Sequence, residues 1–234
     1  MQSRFRLWPR ALMALFLFSC CIAACVPVSP SSTTPTSSTL APTTSLPVSS
    51  DCTDLTAGAN LQGCDFSGAN MANLELTGAN LAGANLVSAY LYMADLSNAN
   101  LTGATMSNAN LQGTLLVGAQ LANANLSSSY FFMADLTGAN LNGSNLSNAN
   151  LQQTLLGGAN LAGANLSGVY AYGSDLNSAN LTNTNLANAN MQNVNLSQAD
   201  LTGSNLSGTY FFGSTWRDTT CPDGVLQSTQ CFPT

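Results

Sequence analysis

Between Leu61 and Trp216 an apolar residue returns at every fifth position, through 32 consecutive repeats. Of these central positions 24 are Leu; the others are Phe66, Met71, Met106, Phe131, Ala171, Met191, Phe211 and Trp216. No straight element accommodates that interval. In an α-helix each step of five turns the side chain by about 140°, which scatters the Leu over the whole surface. In a straight strand, alternate steps fall on opposite faces. The interval suits a chain that bends after each short extended piece, so that the centre and the small residue two before it, most often Ala, share the inward side. The bend has its own residues. Two positions after the centre, 24 of the 32 repeats carry Gly (16) or Asn (8), the residues that enter the left-handed region most readily.

A longer period lies on top of the first. Tyr90-Leu91-Tyr92 returns as Tyr130-Phe131-Phe132, Tyr170-Ala171-Tyr172 and Tyr210-Phe211-Phe212, each eight repeats on. Asp95, Asp135 and Asp175 keep the same interval, as do Gln112, Gln152 and Gln192. Eight repeats make two whole turns of a four-sided coil but not a whole number of three-sided turns. Over residues 59–218 the pattern Ala-(Asp/Asn)-Leu-x-x, present as ANLAGANL, ADLTGANL and ANLSG, is similar to that of the pentapeptide-repeat family. The resemblance implies an all-β fold, a right-handed four-sided parallel β-helix with about 20 residues per coil. It would place about eight coils over residues 51–218 and a C-terminal cap at 219–234, with the stack roughly 38 Å long at about 4.8 Å per coil.

A coil cannot bury its own Leu, so stacking must do it. At about 2 kcal/mol per buried Leu, the central residues supply tens of kcal/mol before conformational entropy is subtracted. Asn repeated at one place in successive coils can link side chain to side chain, as amides do in cross-β stacks. These Asn are scaffold, and triplets such as Asn145-Leu146-Ser147 match a glycosylation pattern only because the repeat generates them. At Ala171 the centre is small and Val169 replaces the usual Ala before it, a local exchange of volume. Solenoid ends expose unpaired edges and need caps. The register slips by one residue between Leu55 and Leu61, with Cys52 and Cys64 flanking the slip. At the other end Trp216 closes the last coil and Cys221 and Cys231 follow. In an oxidising compartment these four Cys admit three pairings, of which the local pairs Cys52–Cys64 and Cys221–Cys231 would staple the two ends. Metal binding by the same Cys is disfavoured by the spacings and by the absence of His.

The first 50 residues are of another kind. Arg4, Arg6 and Arg10 precede an apolar stretch that reaches Ala24, about 14 residues and too short for about 30 Å of hydrocarbon. Its length and flanks are those of a secretory signal peptide over residues 1–24. Ile22-Ala23-Ala24-Cys25 resembles the bacterial lipobox, which implies cleavage before Cys25 and a lipid on that residue. Leu17-Phe18-Ser19-Cys20 is a second candidate, with the bulky Phe18 where a small residue is required. Val26 after Cys25, in place of Asp, implies by resemblance to lipoprotein sorting signals an outer-membrane or cell-surface destination. Residues 25–50 hold almost only Ser, Thr, Pro and small apolar side chains, which bury too little surface to offset ordering. They read as a tether that holds the folded part clear of the membrane.

Charge narrows the function further. Beyond residue 10 the sequence has one basic residue, Arg217, against ten acids, and it has no Lys or His. A basic footprint for nucleic acid is absent. No catalytic constellation is present either, since Asp95, Asp135 and Asp175 recur two coils apart, about 10 Å, too far to share a proton. They read as solvated outward carboxylates, with Leu115 and Leu155 at the intervening places. No cofactor, metal or small-molecule substrate is indicated. Tyr90, Tyr92, Tyr130, Phe132, Tyr170, Tyr172, Tyr210 and Phe212 flank inward centres, so strand alternation sends them outward on one face. Asn70, Asn110, Gln112, Asn150, Gln152, Asn190 and Gln192 lie between them. An apolar patch of this size marks a contact surface, for a second copy or an envelope protein, unless the rings only cover neighbouring coils. The expectation is a non-enzymatic interaction or structural module, exported and held at the cell envelope by the lipid on Cys25. Two alternatives follow from the family resemblance and the regular face: a DNA-mimicking protector of topoisomerases, which needs denser anionic charge and a cytoplasmic home, and a glycan- or surface-binding protein. Ice binding would need a clean Thr array, but Thr102, Thr182 and Thr202 are interrupted by Ala82, Ala122, Asn142 and Ala162.

Overall fold

The computed structural model of the chain describes residues 52–231. The expectations for the signal peptide, for Cys20 and Cys25 and for the tether lie outside the described residues.

The chain winds as a right-handed, four-sided β-helix. Position 60 pairs in parallel with position 80, 65 with 85, and so on at every fifth position up to Asp200 with Thr220. Each partner lies four repeats further on, so four repeats complete one coil. A corner follows each centre. All corner residues from Gly58 to Asp218 have φ between +53° and +76°. The eight corners that are neither Gly nor Asn, among them Met93, Met133, Gln153 and Gln198, adopt the same conformation. For them it costs about 1–2 kcal/mol each, and hydrogen bonding on both sides imposes it.

Where Asn or Asp precedes the centre, that hydrogen bonding accounts for every backbone N–H of the repeat. Around Leu101, the centre N–H donates to the Gln120 carbonyl of the next coil at 2.7 Å, and the corner Gly103 N–H donates to Ala122 at 2.9 Å. Asn100 N–H donates back to the Ala79 carbonyl at 2.9 Å, and Ala104 N–H closes the turn on the Leu101 carbonyl at 3.0 Å. The fifth, Thr102 N–H, donates to Oδ1 of Asn100 at 3.2 Å. The Asn or Asp before the centre is therefore an acceptor for its own corner. Its amide also builds ladders: on one side Asn145, Asn165, Asn185 and Asn205 each donate to the Asn one coil earlier, at 3.1–3.3 Å.

Inside, the central Leu and the Ala two before them are buried, from Ala59 to Trp216. Some of the small inward positions hold hydroxyls instead. Thr114, Thr154, Thr184 and Thr219 each donate to the carbonyl of the centre 23 residues back, at 2.8–3.0 Å, which otherwise serves only the turn. Val169 and Ala171 are both buried, consistent with an exchange of volume between them.

The ends differ from the sequence expectation at one point. There is no slip before Leu61: Ala59 N–H closes a turn on the Thr56 carbonyl and Gly58 is a regular corner, so Thr56 occupies a centre position. With no coil before it, that position is exposed and tolerates a polar residue, while Leu55 packs against the core from outside the period. Cys52 is bonded to Cys64 across this first turn. At the other end Phe211 and Trp216 meet edge-on at 4.7 Å. There β1 (Thr219–Thr220) pairs antiparallel with β2 (Leu226–Gln227), and Cys221 is bonded to Cys231.

Candidate functional site

The side of the solenoid built on Leu91, Phe131, Ala171 and Phe211 carries the aromatic residues. Tyr90, Tyr130, Tyr170, Tyr172, Tyr210 and Phe212 are exposed, Phe212 the most at 70%, whereas Tyr92 and Phe132 are half-buried. On two of the four coils the rings of a pair lie side by side: Tyr90 and Tyr92 have centroids 6.0 Å apart and planes 13° apart, and Tyr210 and Phe212 have 6.4 Å and 10°. Asn110, Gln112, Asn150, Gln152, Asn190 and Gln192, on the coils between, are half-buried. The side is therefore corrugated, with ring pairs as ridges and amides as furrows, repeating every second coil.

This corrugation has a cost to the scaffold. A Tyr before the centre has no oxygen near enough to accept from its own corner, as Asn110 Oδ1 does from Gln112 N–H at 3.1 Å and Asn150 Oδ1 from Gln152 N–H at 3.0 Å. Nor can Tyr continue an amide ladder. Four coils thus forgo two interactions that the neighbouring side makes, each worth about 1 kcal/mol.

One furrow, between the coil of Leu91 and that of Phe131, is walled on both sides. Tyr92 and Met93 form one wall, Phe132 and Met133 the other, and Gln112 and Gly113 the floor, enclosing about 500 Å³. The floor is low because residue 113 has no side chain: a Cβ there would stand 3.4 Å from Met93 Cγ. Met93 and Met133 are themselves exposed, at 49% and 60%, and both occupy left-handed corners. Sequence reasoning missed this pair. The available signal was a bulky apolar residue, twice, eight repeats apart, at corners that otherwise hold Gly, Asn or a polar residue. Replacing both by Gly removes backbone strain, and thermal unfolding of Met93→Gly/Met133→Gly is expected to show a gain of about 1 kcal/mol per site. A loss would mean that the thioethers stabilise the coil itself.

The carboxylates sit elsewhere and have structural tasks. Asp95, Asp135 and Asp175 are half-buried and not simply solvated: their Oδ1 atoms accept from Ser97, Thr137 and Asn177 N–H at 2.9–3.0 Å. Asp175 also receives Asn195 Nδ2 at 2.9 Å. At Asp65 the Ser67 N–H, with help from Asn85, holds the carboxyl below its ordinary value of 3.8. Among the described residues no group of three or more His, Cys, Asp or Glu is placed to hold a metal ion, and no helix is long and apolar enough to cross a membrane.

Comparison with known proteins bears on the scaffold. The family model described as pentapeptide repeats matches in 8 copies, over residues 57–86, 104–143, 144–183 and 179–215. Among solved structures, HetL, a pentapeptide repeat protein involved in heterocyst differentiation regulation in the cyanobacterium Nostoc sp. strain PCC 7120, is 27% identical. The match covers 73% of this chain and 90% of HetL, with a TM-score of 0.29. Trypsin-treated QnrB1, a plasmid-mediated fluoroquinolone resistance protein, is 17% identical over 65% of this chain and 86% of its own, with a TM-score of 0.50, a likeness of fold. A pentapeptide repeat protein of the Arabidopsis thaliana thylakoid lumen is 30% identical over 49% of this chain and 69% of its own, with a TM-score of 0.29. No curated protein matches the chain. The five-residue corners, the four sides and the family match over more than half the sequence agree: this chain belongs to the pentapeptide-repeat family.

Proposed function

We propose that the chain is a non-enzymatic interaction module, exported and held at the cell envelope by a lipid on Cys25, which docks a protein through its aromatic side. The observation that carries this reading is the exposure of Tyr90, Tyr130, Tyr170 and Tyr210 on alternate coils, at positions where Asn would have stabilised the scaffold better. Exposed rings on a stiff backbone lose little side-chain freedom on contact, which suits them to docking. The protector of topoisomerases is disfavoured, because Asp95, Asp135 and Asp175 are spaced two coils apart and engaged by their own corners.

The test uses the full chain in cells. Labelled palmitate is expected to enter the wild type and not Cys25→Ala, and crosslinking should join the wild type to its partner. Tyr130→Ser/Phe132→Ser should keep the label and the fold but reduce that crosslink about 10-fold or more. Unprocessed protein in the cytoplasm would remove the anchoring half of the reading. Undiminished crosslinking by the double variant would remove the docking half.

A further inference from the structure

We infer that the occupant of the aromatic side is a second copy of the chain, packed antiparallel so that the ridges of each fill the furrows of the other. The inference rests on the docking reading above and names its partner.

The reasoning begins with the order of levels. Counting coils from residue 61, the odd ones present amides or a small residue on this side: Asn70 and Ala72, Asn110 and Gln112, Asn150 and Gln152, Asn190 and Gln192. The even ones present the ring pairs. In two antiparallel solenoids at full overlap, coil one of each faces coil eight of the other, two faces seven, three faces six and four faces five. Every pairing joins an odd coil to an even one, so every ring pair meets a furrow. A two-fold axis along the strand direction also keeps the columns aligned. Tyr172 then meets Gln112, Phe132 meets Gln152, Tyr92 meets Gln192, and Phe212, the most exposed ring, meets Ala72, the smallest residue of the furrow column.

Parallel copies slipped by one coil also set rings against furrows, but that contact has no two-fold axis and does not close as a dimer; the other registers fail. Parallel copies at equal height set ring against ring and leave every furrow empty. An antiparallel pair slipped by one coil does the same. A slip of two restores the match but uncovers two coils of each copy. Area makes that loss matter: about 38 Å of stack by at most about 16 Å of five-residue side gives a footprint on the order of 600 Å² per copy. The total of about 1,200 Å² stands at the lower end for a specific interface, so full overlap is required. The walls of the furrow over Gly113 add selectivity. Tyr172 of the second copy would enter between Met93 and Met133, where sulfur meets ring, and Gly113 leaves room beneath it. Because the contact is isologous, each of these insertions occurs twice.

The experiment uses the purified full chain, in detergent if acylated, with sedimentation equilibrium for mass and affinity. A photoreactive benzoylphenylalanine in place of Tyr172 locates the contact. The expected result is a dimer in which the probe joins the level of Gln112, Gly113, Met93 or Met133 in the second copy. Tyr170→Asn/Tyr172→Gln should weaken the dimer roughly 100-fold, since two ridges are lost at once. Adding Asn110→Tyr/Gln112→Tyr to that variant should restore it, because coil three then supplies the ridge and coil six the furrow. A probe that joins position 172 of the second copy, a rescue that fails in a folded variant, or a chain that stays monomeric at about 100 μM would overturn the inference. If the chain is monomeric while Tyr130→Ser/Phe132→Ser still loses its cellular crosslink, only the self-pairing falls. If that crosslink is also unchanged, the docking reading falls with it.

Discussion

Leu136→Ala is expected to destabilise the solenoid by about 3–5 kcal/mol, at the upper end for a Leu truncation. Leu136 is fully buried in the fourth coil, with Leu116 and Leu156, also fully buried, one coil to either side of it. Its N–H is fixed to the Leu155 carbonyl at 2.7 Å, and the corner at Gly138 is fixed to Gly157 at 2.9 Å. The backbone around the deleted methyls therefore cannot collapse, and the cavity stays open. The same change at Leu206, 3% exposed near the end of the stack, should cost about 2 kcal/mol, because the last coil can relax outward. Stability in a stack is a sum of neighbour contacts, so hydrogen exchange should quicken on both sides of coil four in the first variant. In the second it should quicken only at the terminus. Equal costs at the two positions would contradict that picture.

The second large effect is expected from Cys221→Ser/Cys231→Ser. The bond joins positions 10 residues apart, and its loss should cost about 2–3 kcal/mol. The consequence reaches further than that figure. The carbonyls of Thr220 and Pro222 accept from Leu201 and Gly203 N–H at 2.8 and 2.9 Å, so this short segment takes the place of a ninth coil. Once it loosens, the donors of the last coil become an open template for another chain. Light scattering should rise with concentration in the variant well below its unfolding temperature, and added reductant should do the same to the wild type. A variant that melts lower but never scatters would mean that β1 and β2 seal the end without the bond.

Much of this architecture is legible in the sequence because the relevant partner of each residue stands at a fixed distance along the chain. A five-residue interval with Gly or Asn beyond each centre determines corners and core, and the eight-repeat period points to four sides. The recurrence of the Tyr90 and Tyr92 pair at every eighth repeat places the aromatic column. What escapes depends on three-dimensional reach and not on interval. The hydroxyl of Thr114 finds a carbonyl 23 residues back, which follows only from the pitch of the coil. Thr56 is hidden as a centre because a terminal coil has no neighbour to demand an apolar residue there, so the pattern of residue types fails while the backbone pattern continues. The tasks of the aspartates are hidden too, because an outward side chain folding back onto its own corner leaves no mark on periodicity. Met93 and Met133 escape for the opposite reason: they follow the longer period but break the rule for corner residues, and only the coordinates join them to Tyr92 and Phe132 around one furrow.

The two nested periods also govern how such a gene can change length. Deleting or duplicating a single coil leaves each Leu indoors and each bend in place, so the product still folds. It also joins two like stripes and converts an even tally of levels to an odd one. Indels of two coils preserve both the interior and the sequence of stripes. Natural length variants of this chain should accordingly differ by even numbers of coils if the striped side is under selection, and by any whole number if only the fold is.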